Sequence, residues 1–269
     1  MKKNILILFL IFQAQFLFSQ TLDEQIFKEK ILLPKGETKA QTAITLAKSM
    51  MGKPYTAATL EGPSEKLVCN LREFDCYTLV ENVVALTLTK HQGKSSYTDY
   101  KKYLQNLRYR NGVINGYPSR IHYFSEWVTQ AEQNSFIEDM TKHWGIKSNK
   151  AINFMSNHRN LYSALANNDN YSKIIEMEAS LLANPFYEIP KSNLAKVESK
   201  IKDGDIIVFT STVNGLDVNH EGFAIHQNGE LHLLHASLDQ KKVIISTETL
   251  GEYLNKIKKH QGIMVLRLR

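Results

Sequence analysis

The sequence predicts an α+β fold, on three observations. Helical periodicity and helix-start signals fill the first two thirds of the chain, short alternating strands crowd the last third, and an Asn228-Gly229 step marks a tight hairpin among those strands. At 269 residues, 43% hydrophobic and 22% charged, the composition is that of an ordinary folded protein and excludes a fibre or a disordered chain.

At the amino end, Lys2 and Lys3 precede an apolar run from Ile5 to Phe12, which Gln13 and Gln15 interrupt before Ser19. That pattern predicts a secretory signal peptide over residues 1–20, cleaved near Ser19 or Gln20, and the interruption argues against a membrane anchor. No cysteine follows the run, so a bacterial lipid anchor is not indicated. The expected product is one domain over residues 21–269, with helical insertions at about 90–200, exported to a periplasm or beyond and without a transmembrane anchor. The formal charge of +6 includes both leader lysines. So mild an excess suits an anionic polymer such as cell wall, and the chain lacks the arginine cluster or basic-aromatic stripe that nucleic-acid binding requires.

Amphipathic helices are expected over Thr21–Leu33, stopped by Pro34-Lys35-Gly36, and over Thr38–Met51, ending at Gly52. Gly52-Lys53-Pro54-Tyr55 is a turn that presents a tyrosine, and Thr56–Asn70 is a connector. The Asp75-Cys76 step then opens directly into an apolar helix, with Leu79, Val80, Val83, Leu86 and Ala85 at core spacing. Tyr97–Arg108 has helical periodicity. Between Asn111 and Trp127, Gly112, Asn115-Gly116 and Pro118 break regular structure among many aromatic and basic side chains. That composition suits ligand holding; the alternative makes Ile121, Tyr123, Phe124 and Trp127 the apolar side of a helix covering the core. Phe136–Trp144 is expected as a strand or turn, Ala151–Leu165 and Tyr171–Asn184 as helices, and Asn193–Lys200 as a short helix. Strands follow at Asp205–Ser211, Val218–His226, Glu230–Ser237, Val243–Ser246 and Ile263–Leu268.

A thiol in the first turn of a helix meets unpaired N–H groups and the positive end of the helix dipole, which favour the thiolate. Cys76 is therefore a candidate nucleophile, against the alternative of a small buried apolar residue. The other cysteine, Cys69, reads as a buried residue beside Leu67 and Val68; a Cys69–Cys76 disulfide would close a very short loop and consume the thiol.

A two-residue Asn228-Gly229 loop pairs Gln227 with Glu230 and, counted outward, sets His235 opposite Gly222 and His220 opposite Ser237. His220, Gly222, Ala224 and His235 then share one face, with the two imidazoles diagonal neighbours. Gly222 and Ala224 keep that face low, so another backbone, such as a helix N-terminus, could approach it. His232 falls on the other face and His226 lies near the turn. A thiol, a histidine base and a second group orienting that base form a cysteine-hydrolase triad. Zinc on one thiolate and two imidazoles is the competing explanation, but it lacks a fourth ligand at recognisable spacing.

Phe74-Asp75-Cys76, His220-Glu221-Gly222-Phe223-Ala224-Ile225 and Leu234-His235-Ala236-Ser237 resemble the three motif blocks of NlpC-type papain-like cell-wall hydrolases. With Gly52-Lys53-Pro54-Tyr55, Ser119-Arg120-Ile121-His122-Tyr123 and Gly215-Leu216-Asp217-Val218, most of the mature chain is similar to a branch first catalogued as a domain of unknown function and regarded as N-acetylmuramoyl-L-alanine amidase-like. The resemblance implies a papain-like fold, with the nucleophile's helix packed on a barrel-like antiparallel sheet. It makes Cys76 the nucleophile, His220 the base and His235 the orienting residue, with Tyr55 and Asp75 beside the oxyanion or substrate. Glu221 departs from the motif, which commonly has an apolar residue there, and is expected to face away from the catalytic side. The implied reaction hydrolyses the lactyl–L-alanine amide of peptidoglycan or muropeptides without a metal or organic cofactor. Arg120, His122, Tyr123 and Trp127 are the candidates for holding sugar or peptide carboxylates. A γ-D-glutamyl–diamino acid endopeptidase, a catalytically silent wall-binding protein and an acyltransferase are the alternatives.

Overall fold

The computed structural model describes residues 22–269; the expected leader at Met1–Gln20 lies outside the described residues. Helix α1 (22–32) leads to α2 (Lys39–Lys48), which starts with a reciprocal cap between Thr38 and Gln41. Helix α3 (Cys76–His91) lies at the centre of the molecule, with Leu79, Val80, Val83, Val84, Ala85 and Leu86 all fully buried. A helix apolar on every side must be enclosed by other elements. Helices α2 and α4 (Tyr97–Arg108) and the sheet enclose this one.

Helix α5 (Phe124–Gln133) is followed by β1 (Ile137–Asp139), α6 (Thr141–Trp144), β2 (Ile146–Lys147), α7 (Phe154–Asn157), α8 (Asn168–Leu181), β3 (Tyr187–Pro190) and α9 (Leu194–Val197). The segment expected as helical insertions thus also supplies three strands, of which β1 falls in the Phe136–Trp144 stretch expected as a strand or turn. The apolar stretches of the other two are too short to display a two-residue period. The helix expected over Ala151–Leu165 is reduced to α7 and two 3-10 turns. Its asparagine, serine and histidine side chains compete for the helix's own carbonyls; His158 takes that of Phe154 and Ser156 that of Asn153.

The last third forms β4 (Ile206–Ser211), β5 (Val218–Gln227), β6 (Glu230–Ser237), β7 (Lys242–Thr249), α10 (Leu250–Lys256) and β8 (His260–Leu268). The antiparallel sheet runs β2-β3-β8-β4-β5-β6-β7, with β1 also on β8. It is not barrel-like: β2 and β7 end the order without pairing to each other, so the sheet stays open. Residues 52–55 cover the β7 edge through backbone bonds of Gly52 and Lys53 with Val243 and of Tyr55 with Lys241.

Alternation sorts the sheet's side chains between two cores. Val208, Phe223, Ile225, Leu234 and Ala236 join the large core with α2–α5, whereas Ile207, Phe209, Ala224 and Leu233 pack beneath α9 and α10. Inside the helical layer, Arg108 and Glu81 form an ion pair at 2.8 Å with at most 1% of either side chain exposed.

Candidate active site

Cys76 is the first residue of α3 because Asp75 caps the helix. The Asp75 carboxylate accepts the Thr78 N–H at 2.7 Å, and the Thr78 hydroxyl accepts the Asp75 N–H at 3.0 Å. Asp75, expected beside the oxyanion or substrate, spends its carboxylate on this cap. Both cysteines are free thiols, so no Cys69–Cys76 bridge exists.

The hairpin register matches the expectation from the turn: Gln227 pairs with Glu230 and the ladder continues to Phe223 opposite Leu234. His220 Nε2 and His235 Nδ1 lie 2.7 Å apart with their rings nearly perpendicular, at 88°. His232 points to the opposite face, its Nδ1 on the carbonyls of Ser246 and Glu248, and His226 pairs with Asp203 at the surface. What approaches Gly222 is not a helix end. The carbonyl of Leu234 and the Cβ of His235 occupy that space, so the missing side chain brings β6 itself close.

The nucleophile candidate lies against the other side of the strand, at the backbone of Glu221. Val208, Phe223 and Ile225 mark the face on which α3 packs, and Glu221 belongs to it by alternation. Glu221 was expected to face away from the catalytic side, but it shares the thiol's side of the strand, and its carboxyl and backbone both act on Cys76. Burial pushes the Cys76 thiol well up, the charges of Glu221 and Asp75 push it further, and backbone hydrogen bonds from Glu221 and Tyr77 pull it down. Burial and the two carboxyls thus work against the thiolate that the helix start favours. His220 is held well below the ordinary histidine range by burial and then by His235 and His260, and burial brings His235 down to about 4. At neutral pH the thiol and both imidazoles are uncharged. Tyr55 is pushed up to about 12, first by burial and then by Cys76, Asp75 and Glu221, so its hydroxyl remains a donor among these groups.

Two residues of the constellation were not anticipated. Tyr253 of α10 has its ring 5.8 Å from that of His220 and 5.2 Å from that of His235, and the Cys76 charge acts on its hydroxyl. His260 stacks on Phe209 at 4.4 Å and lies parallel to His220 at 6.5 Å. The Thr249-x-x-Glu252 capping signature announces α10 and was the available signal for Tyr253. His260 has no local signal, because only the strand order brings β8 to this place.

The expected carboxylate holders serve internal contacts instead. Arg120 bonds Glu61 at 2.8 Å and lies over the Tyr117 ring. His122 lies tilted against that same ring, centroids 4.4 Å apart, with its Nε2 3.0 Å from the Tyr117 carbonyl. The Tyr123 hydroxyl donates to Glu178 and accepts from the Met155 N–H, and Trp127 is fully buried against Phe124. The reading of Ile121, Tyr123, Phe124 and Trp127 as core fits their burial. A cavity of about 590 Å³ lies instead along the 56–73 connector, its wall including Thr56, Glu61, Lys66, Cys69, Arg72, Glu73 and Lys101. Thr56 and Glu73 are bonded to each other at 2.7 Å and adjoin the Tyr55–Phe74 bridge, one and three residues from Tyr55 and Cys76. Arg120 shapes this cavity indirectly, by holding Glu61. Among the described residues, no group of three or more histidine, cysteine or acidic side chains is placed to hold a metal.

Three comparisons bear on the arrangement. The model of the N-acetylmuramoyl-L-alanine amidase-like family matches residues 45–263. A crystal structure of an N-acetylmuramoyl-L-alanine amidase from Bacteroides uniformis is similar at 39% identity and a TM-score of 0.82, covering 86% of this chain and 99% of that one. A Bacteroides fragilis protein, provisionally named a xylanase, is 38% identical with a TM-score of 0.78, over 82% of this chain and 99% of that one. A Legionella pneumophila protein shares the fold at 21% identity and a TM-score of 0.73, over 93% and 95% of the two chains. No curated protein matches the chain.

Proposed function

The chain belongs to the N-acetylmuramoyl-L-alanine amidase-like family, and from that premise we propose that it is a cysteine-dependent amide hydrolase of peptidoglycan or muropeptides, cutting between the lactyl group and L-alanine. The observation that carries the reading is the 2.7 Å contact between His220 and His235 on strands whose backbone, at Glu221, holds the thiol that opens α3. It has the parts of a nucleophile, a base and an orienting group, as in other members of the NlpC-type, papain-like class that the motifs resemble.

The resting pair is neutral, so the nucleophile forms as it is used. His220 takes the Cys76 proton while the sulfur attacks the amide carbonyl, and His235 holds the imidazole in line. The tetrahedral oxyanion is met by the Cys76 N–H at the helix start and by the Tyr55 hydroxyl. His220 then gives its proton to the departing amine, leaving a thioester, and as base it activates the water that releases the acid and restores the thiol. None of these steps calls on a metal or organic cofactor. The cavity along residues 56–73 is the nearest space for the peptide or sugar, with Lys101 in its wall suited to a carboxylate. The leader at Met1–Gln20 would export the enzyme to a periplasm or the medium, where this polymer lies.

The test is mass spectrometry of a disaccharide tetrapeptide after incubation with the mature protein and with Cys76→Ala. Free disaccharide and an intact peptide beginning with L-alanine are expected, and only from the unmodified protein. L-Ala–D-Glu left on the sugar would make the enzyme a γ-D-glutamyl endopeptidase. No product from either would leave a silent wall-binding protein.

A further inference from the structure

Glu221 lies in β5 with 4% of its surface exposed, on the face that α3 covers. The groups around it come from every element packed there. Asp75, Cys76, Tyr77 and Glu81 come from the cap and body of α3, Asp217 from the turn before β5, and Tyr55 from the strap along β7. None is a cation. Glu81 is paired with Arg108, and no ion pair among the described residues includes Glu221. An ionised carboxylate at this place would be a buried charge without a counter-ion, against a sulfur that must itself become negative.

We propose that Glu221 is a positioning residue for the Cys76 nucleophile: with its proton it leaves the thiol free to be activated, and without it the carboxylate closes the site. The inference rests on the reading of Cys76 as nucleophile. When Glu221 gives its proton to solvent, one negative charge appears beside the thiol. The thiolate and the oxyanion formed at the Cys76 N–H then both develop against a like charge, and both become harder to reach. Burial and the Asp75 charge hold the carboxyl up to about 8, so closure falls on the alkaline side of neutrality, where a cysteine nucleophile with an uncharged neighbour would keep gaining.

The experiment follows alkylation of the mature protein by iodoacetamide between pH 5 and pH 10, with Cys76 and Cys69 read separately by peptide mapping, in the natural protein, Glu221→Gln and Glu221→Val. At pH 9 the Cys76 rate in either variant is expected to exceed the natural rate by about tenfold or more, the ratio of one pKa unit. Below pH 6 the rates should converge, with Cys69 alike in all three. Coincident Cys76 profiles, or an equal gain at Cys69, would overturn the proposal; if Glu221→Gln does not fold, the valine variant makes the same comparison. Muropeptide hydrolysis in parallel separates the two readings. An alkylation shift without hydrolysis by any form keeps the Glu221 assignment and rejects the proposed substrate, whereas normal hydrolysis with coincident alkylation rejects Glu221 alone.

Discussion

Adding a single methyl group at Gly222 should uncouple the two imidazoles. A Cβ there would stand 2.7 Å from the Leu234 carbonyl oxygen, 2.9 Å from the His235 Cβ and 3.0 Å from Leu233 Cδ1. Two of these neighbours are backbone or Cβ atoms that no rotamer change can move. Ordinary contacts need about 3.5 Å, so β6 must withdraw by roughly 0.5–0.8 Å. Carried to His235, that displacement stretches the 2.7 Å His220–His235 contact to the limit of a hydrogen bond or past it. Overpacking of this kind costs about 1–3 kcal/mol. Misplacing the base's support by up to an ångström should lower turnover by about 10²-fold. Gly251→Ala is the matched control: it makes the same chemical change in α10 with its closest neighbour at 3.7 Å, and should stabilise by a few tenths of a kcal/mol or leave stability unchanged. Thermal melting and kcat/KM on a muropeptide would be measured for both. A Gly222→Ala enzyme that melts with the natural protein and turns over within twofold of it would refute the close approach of β6 as the device that joins the histidines.

Arg108→Ala would leave Glu81 buried without its counter-ion, at a cost of about 3–5 kcal/mol in denaturant unfolding; a loss below 1 kcal/mol would mean the pair is not buried as described. His220→Ala should reduce turnover by several orders of magnitude, whereas His232→Ala, which releases only the Ser246 and Glu248 carbonyls on the other face, should cost about 1 kcal/mol of stability and little rate. The reverse ranking would show that the β5–β6 register is misassigned. Glu221 also shapes stability against pH. Its folded value of about 8 lies above the usual 4.5, so the folded chain keeps a proton that the unfolded chain releases. Stability then falls as pH rises from about 4.5 to 8, and the advantage of Glu221→Gln should grow across that window to a few kcal/mol. A difference that does not change with pH would contradict this.

Much of this arrangement was legible because short-range chemistry dictates it. Asp75 and Thr78 are three residues apart and form a cap wherever they stand before an apolar run. Asn228-Gly229 permits one tight turn, and that turn sets every pair as far as Phe223 and Leu234. Glu221 was misplaced by reasoning that was locally sound. Alternation does turn it from the face of His220, but the helix carrying Cys76 packs on the opposite face and meets the strand at its backbone. Which face a helix chooses depends on the assembled sheet, and no residue near Glu221 encodes it. Tyr123 and Trp127 mislead for a related reason. Aromatic side chains among glycines suit a binding loop and a core seam equally, and only burial distinguishes them.

The strap that covers β7 has a further consequence, for the order of assembly. Tyr55 and Cys76 emerge early in synthesis, but the backbone partners of the strap are Lys241 and Val243, and both imidazoles lie beyond residue 219. These contacts span more than half the chain, a separation that slows folding and defers it until nearly the whole polypeptide is available. A fragment ending before β6 would hold the thiol but neither its second histidine nor the edge that seats the tyrosine. Any hydrolytic power of this protein would therefore be acquired late and all at once, and truncated or unfinished copies would be harmless.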